Sequence, residues 1–120
     1  MNEILENHVF EVTTNFKRGT AEMLLLTLLL KEDQYAYELS KKLKAASHNA
    51  FDIHGPSLYT ILYRLEEKGL VTTWTKELGK RPRYYYHITE LGKQCLKRIR
   101  EEYLSVTEGI HAVLQQDADR

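Results

Sequence analysis

GPSLYTILYRLEEKGLVTTWTKELGKRPRYYYHITELG, residues 55–92, decides the fold. Pro56 suits the first turn of a helix, where its missing N–H is no loss, and Gly69 suits a helix end. Between them Leu58, Ile61, Leu62 and Leu65 fall at i, i+3, i+4 and i+7, so the spacing predicts a helix over 56–68 with one apolar stripe. Ser57, Tyr59, Thr60, Tyr63 and Arg64 take the opposite face. Residues 71–78 and 83–88 are rich in β-branched and aromatic side chains, and Gly79, Lys80, Arg81 and Pro82 separate them as the turn of a hairpin. Tyr84, Tyr85 and Tyr86 alternate across the second strand, so at least one faces a core and another does not. Trp74 reads as a packing residue of the hairpin.

Upstream, Ile4, Leu5, Val9, Val12 and Phe16 recur at helical spacing over residues 3–15, and Lys17, Arg18 and Gly19 read as an interruption. Thr20 is then placed to cap a second helix built on MLLLTLLL, residues 23–30, whose apolar surface nearly all round predicts a central core position. Residues 31–34 read as a turn. A third helix is expected over 35–46, with Ala36, Leu39 and Leu43 inward and Lys41, Lys42 and Lys44 outward, and a short strand at 51–53. Downstream, Thr89 suits the cap of a long last helix in which Leu96, Ile99, Tyr103, Val106, Ile110 and Val113 step by alternating threes and fours. That is the seam spacing of a coiled coil and calls for a partner helix, here a second copy. The fold class expected is mainly α with a small β element: a winged helix-turn-helix with an N-terminal helix and a long C-terminal dimerisation helix. Residues 1–90 would form the DNA-binding unit and 91–120 the dimerisation helix and tail.

The totals bound the function. A chain of 120 residues forms one modest domain, burying roughly two-thirds of its unfolded surface. The single cysteine, Cys95, excludes an internal disulfide, and no apolar run approaches the roughly 18 residues of a membrane span. The acidic start, with Glu3, Glu6 and Glu11, lacks the basic region of a secretory signal, so a cytoplasmic location is expected. Net charge is zero, yet residues 17–100 carry 16 Lys and Arg against nine acids, while the segments before and after are acidic. A basic centre of this kind is an electrostatic footprint for phosphate.

A polar, aromatic helix face followed by a positive hairpin tip suits entry into the major groove and a grip on the flanking backbone of double-stranded DNA. Ser57, Tyr59, Thr60, Tyr63 and Arg64 are the candidate groove residues. Arg64 has the two donors that read a guanine edge, but two turns into the helix it can instead touch phosphate or pair with Glu67. Lys80, Arg81 and Arg83 are the candidate phosphate contacts of the wing.

QYAYEL at 34–39, SLYTILYRLEEKGLV at 57–71 and GKRPRYYYHITELG at 79–92 together resemble the PadR-like transcriptional regulators. With the helix spacing, the likeness runs from Arg18 into the last helix. The resemblance implies a homodimeric repressor on an inverted-repeat operator, with the last helix supplying much of the interface. In some short members of that family a flat-sided cavity at the dimer interface takes a small planar aromatic effector, and Tyr103 falls where it would line such a cavity. Three positions depart from the family pattern: Ala36 where glycine is common, Tyr84 where a basic residue is common, and His54 where Ser or Asn often caps.

Other functions have weaker support. His8, His48, His54, His87 and His111 are scattered without H-x-x-x-H spacing, and Cys95 stands alone, so no metal site or cofactor is read; a metal- or thiol-based sensor is the lesser alternative. The chain has no glycine-rich phosphate loop, G-x-S-x-G elbow or retuned carboxylate pair, which argues against an enzyme. A winged helix used only for protein interaction is disfavoured by the charge on the wing.

Overall fold

In the computed structural model, which describes residues 2–118, seven elements follow one another: α1 (Glu3–Leu29), β1 (Gln34–Tyr35), α2 (Ala36–Ala46), α3 (Pro56–Glu67), β2 (Val71–Leu78), β3 (Arg81–Ile88) and α4 (Glu90–Ala118). The acidic tail expected at 101–120 ends on residues 119 and 120, which lie outside the described residues.

The two helices expected on either side of residues 17–19 are one. Asn2 caps α1 by accepting from the N–H groups of Ile4 and Leu5 at 3.0 and 3.3 Å. Lys17 and Arg18 are good helix formers, and an interior glycine costs about 1 kcal/mol relative to alanine, too little to break a helix anchored by burial of its C-terminal half. Thr20 does not cap: its hydroxyl donates back to the carbonyls of Phe16 and Lys17 at 3.2 and 3.0 Å. The second half of α1 does occupy the core expected of it, with Leu25, Leu26 and Leu29 fully buried.

Residues 34 and 35, read as part of a turn and the start of a helix, instead form β1, which pairs antiparallel with β3 through Gln34–Tyr86 and Tyr35–Tyr85. The sheet order is β1-β3-β2. Gln34 is buried, and its Nε2 donates to the Leu28 carbonyl at 2.8 Å, supplying one of the carbonyls that the end of α1 leaves without a helical partner. The strand expected at 51–53 is absent. That loop is held by side chains, with Ser40 Oγ donating to the Ile53 carbonyl at 2.9 Å and the Phe51 N–H donating to Ser47 Oγ at 3.0 Å.

The stripe of α3 packs as its spacing requires: Leu58, Leu62 and Leu65 are buried against Leu39 and Leu43 of α2 and the leucines of α1 in one core. Gly69, at φ +76°, closes α3, and the Leu70 N–H reaches the Leu65 carbonyl at 2.9 Å. The hairpin is longer than expected. Its ladder runs from Val71–Ile88 to Leu78–Arg81, leaving only Gly79 and Lys80 in the turn. Pro82 is accommodated because β1 does not extend that far along β3, so no ladder N–H is demanded on that side. Of the three tyrosines, Tyr86 is buried, Tyr85 half-buried and Tyr84 exposed. Thr89 caps α4, its Oγ1 accepting from the Gly92 N–H at 3.0 Å.

Candidate nucleic-acid interface

All five side chains expected on the outer face of α3 are exposed: Ser57, Tyr59, Thr60, Tyr63 and Arg64. They do not share one environment. The Thr60 hydroxyl donates to the Pro56 carbonyl at 2.9 Å, leaving its lone pairs outward. Arg64 is drawn to α1, with Nη2 3.6 Å from Glu22 Oε1. That oxygen is buried and accepts no hydrogen bond, so it favours a cation held beside it. The pairing with Glu67 considered from the sequence is not the one formed. Tyr59 lies across a groove from Tyr37 and Lys41 of α2, two exposed residues of which the sequence placed only Lys41 facing outward and neither at a site.

α2 presents less free charge than its three lysines suggest. Lys42 pairs with Glu32 at 2.9 Å, which pushes its ammonium pKa up, and Lys44 lies 3.6 Å from Asp52. The Lys41 ammonium sits 5.3 Å from the centre of the Tyr37 ring.

The hairpin register fixes the wing. Leu78–Arg81, Lys76–Arg83 and Trp74–Tyr85 are directly opposed pairs, so Lys76, Arg81 and Arg83 project to one face. Two like charges stand opposite one another in the Lys76–Arg83 pair, an arrangement that opposes folding unless an anion relieves it. Among the described residues none of Lys76, Lys80, Arg81 and Arg83 forms an ion pair with a carboxylate. Lys76 was missed in the sequence because its partner is known only once the turn is placed at 79–80. Arg83 is also held from below: its guanidinium carbon lies 4.6 Å from the centre of the Tyr35 ring.

The base of the wing is tied to the body. Trp74 stacks on Tyr85 with centroids 4.5 Å apart, Tyr85 meets Tyr35 edge-on, and both Trp74 and His87 reach Asp33 after α1. On the opposite face Thr73 Oγ1 donates to Glu66 Oε2 of α3 at 2.8 Å. The hairpin and α3 are thereby held in one relative position.

The seam residues of α4 divide. Leu96 is 2% exposed and filled in by the chain's own core, and Ile99 is half-buried against it. Tyr103, Val106, Ile110 and Val113 are exposed, as are Leu104 and Leu114 beside them and Ile4, Leu5, Val9, Phe10, Val12 and Phe16 along the first half of α1. Tyr103 borders a shallow groove of about 390 Å³ with Met23, Ile99 and Val106. Cys95 is half-buried against the core. Among the described residues no three His, Cys, Asp or Glu side chains come together as a metal site, and no helix is long and apolar enough to cross a membrane.

Comparison with known proteins gives one consistent picture. Residues 25–98 match the model of the transcriptional regulator PadR-like family. Protein X of Lysinibacillus sphaericus is 33% identical over 107 residues, which cover 87% of this chain and 96% of that protein. Transcriptional regulator YqjI of Escherichia coli is 29% identical over 97 residues, covering 81% of this chain but 45% of that longer protein. A PadR-family transcriptional regulator from Eggerthella lenta superposes with a TM-score of 0.82 at 30% identity, covering 94% of this chain and 97% of its own.

Proposed function

Since the chain belongs to the PadR-like family of transcriptional regulators, we propose that it is a sequence-specific repressor that binds an inverted-repeat operator as a homodimer. One observation carries the DNA reading: an exposed polar and aromatic face on α3 stands beside a hairpin whose four basic residues lack carboxylate partners among the described residues. In this reading α3 enters the major groove, where Ser57, Tyr59, Thr60 and Tyr63 meet base edges and backbone. Lys76, Lys80, Arg81 and Arg83 meet phosphates of the flanking strand. Residues 1–90 form the DNA-binding unit and 91–120 the dimerisation helix and tail.

Homodimerisation is supported by the apolar surface left open on α4 at Tyr103, Val106, Ile110 and Val113, and on the first half of α1. So large an exposed apolar surface is unusual for a monomer. A small planar aromatic effector would enter between the two copies, with Tyr103 and its groove as one wall. The groove is mostly apolar and open in a single chain, so a second copy is needed to close it.

The test is a salt titration of affinity for duplex DNA. If a dimer neutralises about eight phosphates through wing and helix, log affinity falls against log salt with a slope of roughly −7. Binding that is absent, or insensitive to salt, contradicts the proposal.

A further inference from the structure

We propose that α1 and α3 together form a second phosphate site, on the opposite side of the recognition helix from the wing, whose ligand is the phosphodiester backbone of DNA. The proposal rests on the DNA-binding reading above and extends it to residues outside the helix-turn-helix and hairpin.

The placement follows from α3. Arg64 reaches α1 through Glu22, while Glu66 reaches β2 through Thr73. Two residues apart on an α-helix is about 200° of rotation, so α1 and the hairpin flank opposite edges of α3. On the α1 edge lies a groove of about 490 Å³, lined by Lys17 and Arg18 from α1 and by Ser57, Thr60 and Arg64 from α3. Three cations and the hydroxyl groups of Ser57 and Thr60 therefore face one another across an open channel that includes three of the five candidate groove residues. A helix seated in the major groove has a phosphate backbone on each side, and the wing meets only one of them.

The charge balance in the groove favours an anion. Its carboxylate, Asp52, is already flanked by Lys44 at 3.6 Å and His54 Nδ1 at 3.3 Å, and Glu22 beside it faces Arg64. Among the described residues Lys17 and Arg18 make no ion pair. They stand in the middle of α1, on the edge of the groove that faces α3. The same two residues look like a helix break in the sequence, and they are retained inside a continuous helix.

Two phosphates per protomer add four to the count for a dimer, which steepens the salt slope from roughly −7 toward roughly −11. The experiment compares wild type, the double variant Lys17→Gln with Arg18→Gln, and the wing double variant Lys80→Gln with Arg81→Gln on mixed-sequence duplex DNA across a range of salt. Thermal unfolding of each variant confirms that the fold is kept. The α1 variant is expected to lose affinity on every sequence and to flatten the slope by roughly 3 to 4, as the wing variant does. A wild type and wing variant that behave as expected beside an unchanged slope in the α1 variant overturn this site and leave the DNA reading standing. A wild type that does not bind duplex overturns both. Inorganic phosphate titrated alone separates the sources: tight binding that the α1 variant abolishes, with its DNA slope unchanged, makes the groove a free-anion site and refutes the backbone contact.

Discussion

The indole N–H of Trp74 donates to a carboxylate oxygen of Asp33 at 2.8 Å, joining the hairpin to the turn after α1 across 41 residues of chain. The other Asp33 oxygen lies 2.8 Å from His87 Nδ1, so one carboxylate holds both strands of the wing. Asp33→Ala is expected to lower unfolding free energy by about 1–3 kcal/mol, since it removes two hydrogen bonds that each contribute about 0.5–1.5 kcal/mol. Trp74→Phe, which keeps the stack on Tyr85, is expected to cost about 1 kcal/mol. Urea unfolding of the two variants checks the order; equal stability of Asp33→Ala and wild type would refute the anchoring role.

Gly92 sits in the first turns of α4 against the carbonyl oxygen of Leu70, and an added Cβ would also lie 2.8 Å from Ile88 Cγ1. A backbone carbonyl cannot move aside as a flexible side chain would. Gly92→Ala is therefore expected to destabilise by about 1–3 kcal/mol, although alanine is the better helix former. Thermal or urea unfolding reads this directly.

Tyr86 is 8% exposed, and burial raises its phenol pKa above the usual value of 10.0, helped by the charges of Tyr59 and Glu66. Its neutral form is favoured by folding. Below pH 10 the phenol is neutral in both folded and unfolded chains, and this contribution is fully present; as pH rises from there toward the folded value, the unfolded chain ionises first and stability is lost. Wild type is accordingly expected to lose more stability than Tyr86→Phe in that alkaline window, while the two differ little at neutral pH. Parallel unfolding curves at both pH values decide it.

Val106 is exposed at the middle of the α4 seam. Val106→Glu is expected to shift the protein from dimer to monomer in sedimentation while leaving the helical content of each chain intact. A variant that remains dimeric would move the interface elsewhere.

Arg64 is turned toward Glu22, on the α1 edge of α3. Arg64→Ala is expected to weaken binding to all duplexes alike. The loss of about 1–3 kcal/mol in discrimination that follows removal of a base-reading arginine is not expected. Affinities for an operator and a scrambled duplex measured side by side separate the two.

Local signals carried much of this structure. Pro56, Gly69 and the Leu58–Leu65 stripe set α3, and the glycine between two β-rich runs set the hairpin, because each depends on neighbours a few residues away. What escaped the sequence depends on distant partners. β1 is two residues long, too short for any periodicity, and exists because β3 offers it a ladder 50 residues on. Gly19 looked like a break because intrinsic propensity was not weighed against the burial of Leu25, Leu26 and Leu29. Leu96 fits the heptad seam, yet the same spacing serves packing within the chain, where it is in fact buried. At the candidate interface, the exposure of the α3 face and of the turn cations was legible from spacing and charge. Lys76 needed the register, and Arg64's partner Glu22 lies on a helix no local pattern connects to it.

The central claim, that this protein recognises a DNA sequence, is tested most directly by selecting fragments of the host genome with the purified protein and sequencing what is retained. The expected result is enrichment of an inverted repeat whose half-sites lie about one helical turn, 10–10.5 bp, or a multiple of it apart. Retention of no fragment above background would contradict it and favour a winged helix that serves protein interaction alone.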